Sequence, residues 1–160
     1  MIRLLRPRGQ RWHRYDPTII VPLLVLSIVL AATTAHAQTT TWTGGGTSNN
    51  WSDSGNWDNG VPQNGYDVYF SPVSTDSYVD IPGLTLNRLD MNGYSGTLWL
   101  DEDISTADYC RIDGFFYTGE QSLNVGTDLI VMNSGGFSAD FTNISVANSL
   151  SIAGYIAFYF

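Results

Sequence analysis

Apart from one continuous apolar stretch near the N-terminus, Ile19 to Ala32, the hydrophobic residues of this chain come in short alternations. Val68 and Phe70, Leu84 and Leu86, Leu98 and Leu100, Leu123 and Val125, and Ile144 and Val146 each flank a single residue. A period of two places both members of such a pair on one face of a β-strand. No window of helical length carries a clean apolar stripe at the helical period. Val, Ile, Thr, Tyr, Phe and Trp fill the strand positions, and Gly, Asn, Asp and Ser separate them as turn residues. The pattern predicts an all-β chain.

From about Leu84 onward the alternations repeat. Leu98, Leu100 and Ile104 align with Leu123, Val125 and Leu129, and these align in turn with Ile144, Val146 and Leu150. The first step, Leu98 to Leu123, is longer than the second, Leu123 to Ile144. In each copy a short polar turn separates the alternating pair from the third apolar position: Asp101, Glu102 and Asp103, then Gly126, Thr127 and Asp128, then Ala147, Asn148 and Ser149. A unit this short cannot bury its own apolar face and has to stack on its neighbours. The expected fold is a right-handed parallel β-helix, a β-solenoid of a few coils, with degenerate coils over 84–160. The competing architecture is an antiparallel β-sandwich, whose strands also alternate.

The N-terminal apolar run has a different meaning. Arg3, Arg6, Arg8, Arg11 and Arg14 precede it, and Ala35, His36 and Ala37 follow it. That order of basic, apolar and small residues is a secretory signal, with cleavage expected after Ala37. The run from Ile19 to Ala32 is interrupted by Pro22 and falls short of the about 20 apolar residues a spanning helix needs. A retained anchor is the alternative; a mature chain cut after Ala37 has no membrane span. Residues 1–37 are thus the signal peptide and 38–160 the β-solenoid domain, bound for the cell surface or the extracellular space, with outer-membrane association as a variant.

Cleavage changes the chemistry. It removes five of seven basic residues and both histidines, leaving Arg88 and Arg111 against fourteen carboxylates, a net charge of −12. Such a chain repels nucleic acid and anionic lipid, so surface glycans or other surface proteins are the partners that remain. Nothing in the sequence specifies an oligomeric state. Without histidine or lysine there is no Ser-His-Asp triad, no Cys-His pair, no Schiff-base lysine and no phosphate-loop lysine. Cys110 stands alone and forms no internal disulfide; a buried apolar role suits it better than a reactive one. Paired carboxylates raise the possibility of polysaccharide cleavage, but two arginines on a strongly negative surface disfavour polyuronate substrates.

The segment 41–62, TWTGGGTSNNWSDSGNWDNGVP, combines three adjacent glycines with Trp42, Trp51 and Trp57. With the strand Asp67 to Phe70 it forms a turn-rich cap and first strand over 38–70. The three tryptophans are candidates for a sugar-stacking platform, with Asp53 and Asp58 to bond hydroxyls; the plainer reading is that they pin the cap over the core. Asp101, Glu102 and Asp103 are candidate calcium ligands, calcium being the one cofactor considered; the plainer reading is a solvated coil corner.

On Trp42, Gly44, Gly45, Trp51, Asn56, Trp57, Gly60, Pro62, Asp67, Val68 and Phe70 the chain resembles the opening segment of bacterial surface and autotransporter-like passenger proteins. Those passengers form right-handed parallel β-helices. The run LNVGTDLIVMNSGGF, Leu123 to Phe137, is similar to their coils. The resemblance covers most of the mature chain and implies secretion, a repetitive stalk, and adhesion or display without catalysis. The chain departs from that family in being short and in lacking a recognisable membrane-inserting barrel. Ile152, Tyr155, Ile156, Phe158 and Phe160 alternate like the last strand of an outer-membrane barrel, but no room remains for about eight strands. They are expected to belong to a coil, cut short inside the repeat.

Overall fold

A computed structural model describes residues 36–160, apart from 74, 141–143 and 160. Of the segment 1–37 expected to be a signal peptide only His36 and Ala37 therefore fall within the described residues, and Phe160 lies outside them. No helix among the described residues is long and apolar enough to cross a membrane.

The chain enters through β1 (Thr39–Trp42) and a capping loop, then winds in successive coils of three strands. The first coil holds β2 (Asp67–Phe70), β3 (Ser77–Val79) and β4 (Leu84–Leu86); the second, β5 (Arg88–Asp90), β6 (Thr97–Leu100) and β7 (Ile104–Thr106). The third holds β8 (Cys110–Ile112), β9 (Phe115–Tyr117) and β10 (Leu123–Val125); the fourth, β11 (Asp128–Val131), β12 (Gly136–Asp140) and β13 (Ile144–Val146). A last partial turn adds β14 (Ser149–Ile152) and β15 (Tyr155–Tyr159). Three sheets result: β1-β2-β5-β8-β11-β14, β3-β6-β9-β12-β15 and β4-β7-β10-β13, called here the first, second and third. Every ladder among the described residues is parallel. The fold is a parallel β-helix, and the sandwich is excluded because consecutive strands lie on different sheets instead of pairing through hairpins.

In-register stacking explains why such short strands are stable. Each inward side chain lands on the equivalent residue of the next coil. On the first sheet Val68, Leu89, Cys110 and Leu129 form one buried column. On the second, Leu98, Phe116 and Phe137 do so, the two phenyl rings 5.5 Å apart. Burial among these apolar neighbours raises the Cys110 thiol far above its ordinary value, so it behaves as a small hydrophobe. Ile152, Tyr155 and Ile156 continue the coils in parallel register with β11 and β12. Leu150 and Ile152, on the final β14, are about half exposed at 51% and 49%.

The register corrects one of the two repeat alignments. Leu123, Val125 and Leu129 do stack on Ile144, Val146 and Leu150 of the following coil. In the other direction Leu123 and Val125 stack on Ile104 and Thr106, and not on Leu98 and Leu100. Leu98 belongs to the second sheet, between Ser77 and Phe116. The longer step, from Leu98 to Leu123, joined strands of two different sheets.

The corners account for the acidic composition. Asn64, Asp76 and Asp103 each accept the backbone N–H of a residue one coil on, Thr85, Thr97 and Ser122, at 2.8, 3.0 and 2.7 Å. Asp113 accepts from Gly93 N–H at 2.9 Å and from the Ser134 hydroxyl. Asp128 accepts from Asn148 Nδ2 and Ser149 Oγ, both at 2.7 Å, which lowers its pKa. Strand ends leave backbone donors without ladder partners, and short carboxylate and amide side chains at the turns satisfy them.

The cap is held the same way. Asp53 Oδ1 accepts the Gly55 N–H, and its Oδ2 accepts from the N–H and hydroxyl of both Thr47 and Ser48. Those bonds, with Gly55 the strongest contributor, lower its pKa to about 2. A carboxyl with a depressed folded-state pKa stabilises the fold fully above its unfolded value, about 3.9, and the contribution disappears as pH falls through the folded value. The cap is therefore expected to loosen between about pH 4 and about pH 2, read as a red shift of tryptophan emission during acid titration. Asp53→Asn should bring much of that shift to neutral pH, because an amide nitrogen cannot accept the bonds one of the oxygens now receives. An acid titration identical in Asp53→Asn and in the unaltered chain would show that Asp53 does not govern the cap.

Candidate functional site

Each sheet turns a different chemistry outward. On the third, Thr85, Ser105, Asn124 and Ser145 form a column of small polar side chains. On the first, Arg88 pairs with Asp67 at 3.2 Å and Asp108 at 3.5 Å, and Arg111 with Asp90 at 3.1 Å. Tyr109 donates to Asp90 at 2.9 Å, and both guanidinium groups lie over its ring, 5.3 and 5.6 Å from the centroid. Desolvation works against the Arg88 charge, but Asp67 together with Tyr109 and Tyr69 outweighs that loss and the guanidinium pKa rises. Both arginines among the described residues are thereby committed to holding coils together.

The second sheet presents aromatic rings. Tyr78, Trp99 and Tyr117 occupy one outward column in successive coils. Tyr78 and Trp99 stack with centroids 6.3 Å apart and planes 11° from parallel, and Trp99 meets Tyr117 edge-on at 4.7 Å. The neighbouring outward column runs Thr97, Phe115, Gly136 and Tyr155, with Phe115 52% and Tyr155 63% exposed. At β12 the outward residues shrink to Gly136 and Ser138, while Phe115 and Tyr117 stand on one side and Tyr155 on the other. The step in side-chain size leaves an open depression of about 450 Å³, lined by Trp99, Phe115, Tyr117, Ser138 and Tyr155 together with Thr97 and Ala157.

Two details define its floor. A Cβ at Gly136 would lie 2.9 Å from the Phe115 ring, so the absence of a side chain there makes room for that ring beside the next strand. Ser138 is only 8% exposed, and its Oγ, like Trp99 Nε1, has no hydrogen-bond partner among the described residues. Buried polar atoms are normally paired. Both residues line the depression, although other buried side-chain nitrogens among the described residues, Trp42 Nε1 for one, also lack a partner.

The residues proposed from the sequence lie elsewhere. Trp42, Trp51 and Trp57 are 0%, 0% and 6% exposed, packed edge-on at 5.2 and 5.1 Å and closed off by Phe70. They are the core of the cap and offer no face to a sugar. Asp53 and Asp58 are engaged with the loop backbone, Asp58 accepting the Thr41 N–H at 2.7 Å. Asp101 and Asp103 are exposed and Glu102 half-buried on the turn between β6 and β7, and Asp103 serves the Ser122 N–H. Among the described residues no three His, Cys, Asp or Glu side chains converge to hold a metal ion. At this turn the three carboxylates form no such group, and Asp103 is already engaged. A signal for the aromatic face was present in the sequence, since Tyr78, Trp99 and Tyr117 follow one another at close to one coil length. Comparison with protein-family models, with curated proteins and with solved structures finds no match to this chain.

Proposed function

We propose that this chain is an exported, non-catalytic surface element of adhesin type, in which the coils form a short stalk and the outer face of the second sheet makes the contact. The observation that carries the reading is the row of Tyr78, Trp99, Tyr117, Phe115 and Tyr155 along one face. Exposed aromatic rings grouped on a rigid sheet are the usual anchors of recognition surfaces. The first sheet, by contrast, uses its charges internally, and the third offers only small polar groups. The reading agrees with the resemblance to autotransporter-like passengers and with the export signal in residues 1–37, which leaves Gln38 as the mature N-terminus.

Beads coated with the purified protein should be retained on cell monolayers under flow, and Trp99→Ala combined with Tyr117→Ala should reduce that retention severalfold. Retention no better than that of albumin-coated beads would overturn the reading. A carbohydrate-binding module remains the second reading, now favoured on the second sheet because the cap tryptophans are buried.

A further inference from the structure

We infer that the depression over Gly136 and Ser138 is a subsite for a sugar unit of an uncharged glycan chain. The inference rests on the adhesin reading and names its ligand. A ligand there has to satisfy two demands at once. It needs an apolar face to cover Phe115 and Tyr155, which are more than half exposed, and polar groups to pair the orphan Ser138 Oγ and Trp99 N–H. Both atoms are already shielded from water in the unliganded fold, so a partner that reaches them with a hydroxyl gains hydrogen bonds that a purely apolar partner cannot supply. A pyranose carries C–H groups on its faces and hydroxyls around its rim, and so meets both demands.

Other partners fail on charge or on backbone pairing. Polyanions meet a domain, residues 38–160, of net charge −12 whose two arginines are already paired. A quaternary ammonium suits an aromatic cage but accepts no hydrogen bond from Trp99 and donates none to Ser138. An extended peptide would lie on a sheet face whose backbone is already laddered to the strands on either side, so its own N–H and C=O groups would be buried unpaired. A second copy of residues 38–160 would bring another −12 and a second pair of orphans.

The depression also suits a chain rather than an isolated sugar. Tyr78 and Trp99 extend the aromatic surface from it along the solenoid axis, one ring per coil. Coils rise by about 4.8 Å, so successive sugars of a chain running along the axis meet successive rings.

The test is affinity electrophoresis of the full chain through gels containing xylan, mannan, a soluble β-glucan or dextran, with polygalacturonate as the anionic control. At least one uncharged polysaccharide should retard the protein, and polygalacturonate should not. Tyr155→Ala should weaken binding about fivefold to tenfold. Ser138→Ala should weaken it about twofold to tenfold while leaving the melting temperature unchanged or higher, because it removes a hydroxyl that has no partner among the described residues. That split between affinity and stability is one that a merely structural serine would not give. Retardation that survives both substitutions, or absence of retardation in every uncharged gel, would overturn the subsite. So would binding of choline in place of glycans, or a concentration-dependent dimer abolished by Tyr155→Ala. If glycan binding fails while bead retention persists, the adhesin reading stands without this ligand; if both fail, both readings fall.

Discussion

Val125→Asp is expected to unfold the central coils, lowering the melting temperature by roughly 10 °C or more, whereas Asn124→Asp, one residue away, is expected to be nearly silent. Val125 is 3% exposed and stacks between Thr106 and Val146 in the inward column of the third sheet. The Thr106 hydroxyl already donates to the Asp108 carbonyl at 3.1 Å, so it is not free to solvate a carboxylate placed above it. An unpaired buried charge costs several kcal/mol, a large share of a domain's total stability, and each kcal/mol is worth a few degrees at this chain length. Asn124 points outward between Ser105 and Ser145, where a carboxylate stays hydrated and the effect should be within about 0.5 kcal/mol. Both variants add the same negative charge, so their difference isolates burial from general repulsion. Thermal melts followed by circular dichroism decide the matter: equal losses in the two variants would mean that the assigned faces of β10 are wrong.

The same strand shows how far the sequence could be read. Alternation identified Leu123 and Val125 as inward residues, and the step forward to Ile144 and Val146 was legible because both copies are aliphatic. The step back was not. The true partner strand, β7, reads Ile104, Ser105, Thr106, and its second inward position is a threonine whose hydroxyl is hidden by a bond to its own turn. Leu98 and Leu100 gave a better apolar match and drew the alignment onto the wrong sheet. Alternation specifies faces but not sheets, since such short strands look alike wherever they lie in a coil. Only the turns between them set the coil length, and these vary: on the first sheet the steps from Val68 to Leu89 and from Leu89 to Cys110 are equal, while the step from Cys110 to Leu129 is shorter.

Site residues were legible where they cluster in sequence and hidden where they cluster in space. Three tryptophans within one short segment attract attention, yet a loop rich in glycine has to build its own core, and that need consumes them. Asn56, fully buried, contributes to the same core by bonding Gly46 N–H, the Ser48 carbonyl and the Asn50 carbonyl. The rings that reach solvent, Phe115 and Tyr155, are distant in sequence and only two strands apart on the sheet. Carboxylates misled for a related reason. Composition reveals their number, while their use as acceptors for the N–H groups of neighbouring coils depends on a register that composition does not contain.

Trp51→Ala is the substitution expected to separate the cap from the coils. The Trp51 ring is fully buried, edge-on to Trp57 at 5.1 Å and 6.2 Å from Phe70. Its Nε1 donates to Ser77 Oγ at 2.6 Å, and its backbone N–H donates to the Tyr78 carbonyl at 2.9 Å, so one residue fastens the loop to β3. Truncation removes a large buried ring, at a cost of about 3–5 kcal/mol. It also strands the Ser77 hydroxyl, itself fully buried, without its donor. In a solenoid each coil contacts only its neighbours, so the damage should stay local. Hydrogen exchange read by mass spectrometry should show protection lost over 39–57 and retained over 104–131. The depression on the second sheet lies among β6, β9, β12 and β15, beyond the damaged region, so binding there should survive in whatever fraction stays folded. Uniform loss of protection across all coils would mean that cap and coils unfold as one cooperative unit. Undiminished protection over 39–57 would mean that the cap does not depend on this ring. Only the local pattern agrees with tryptophans that hold the cap in place and a contact face built instead from aromatic residues one coil apart.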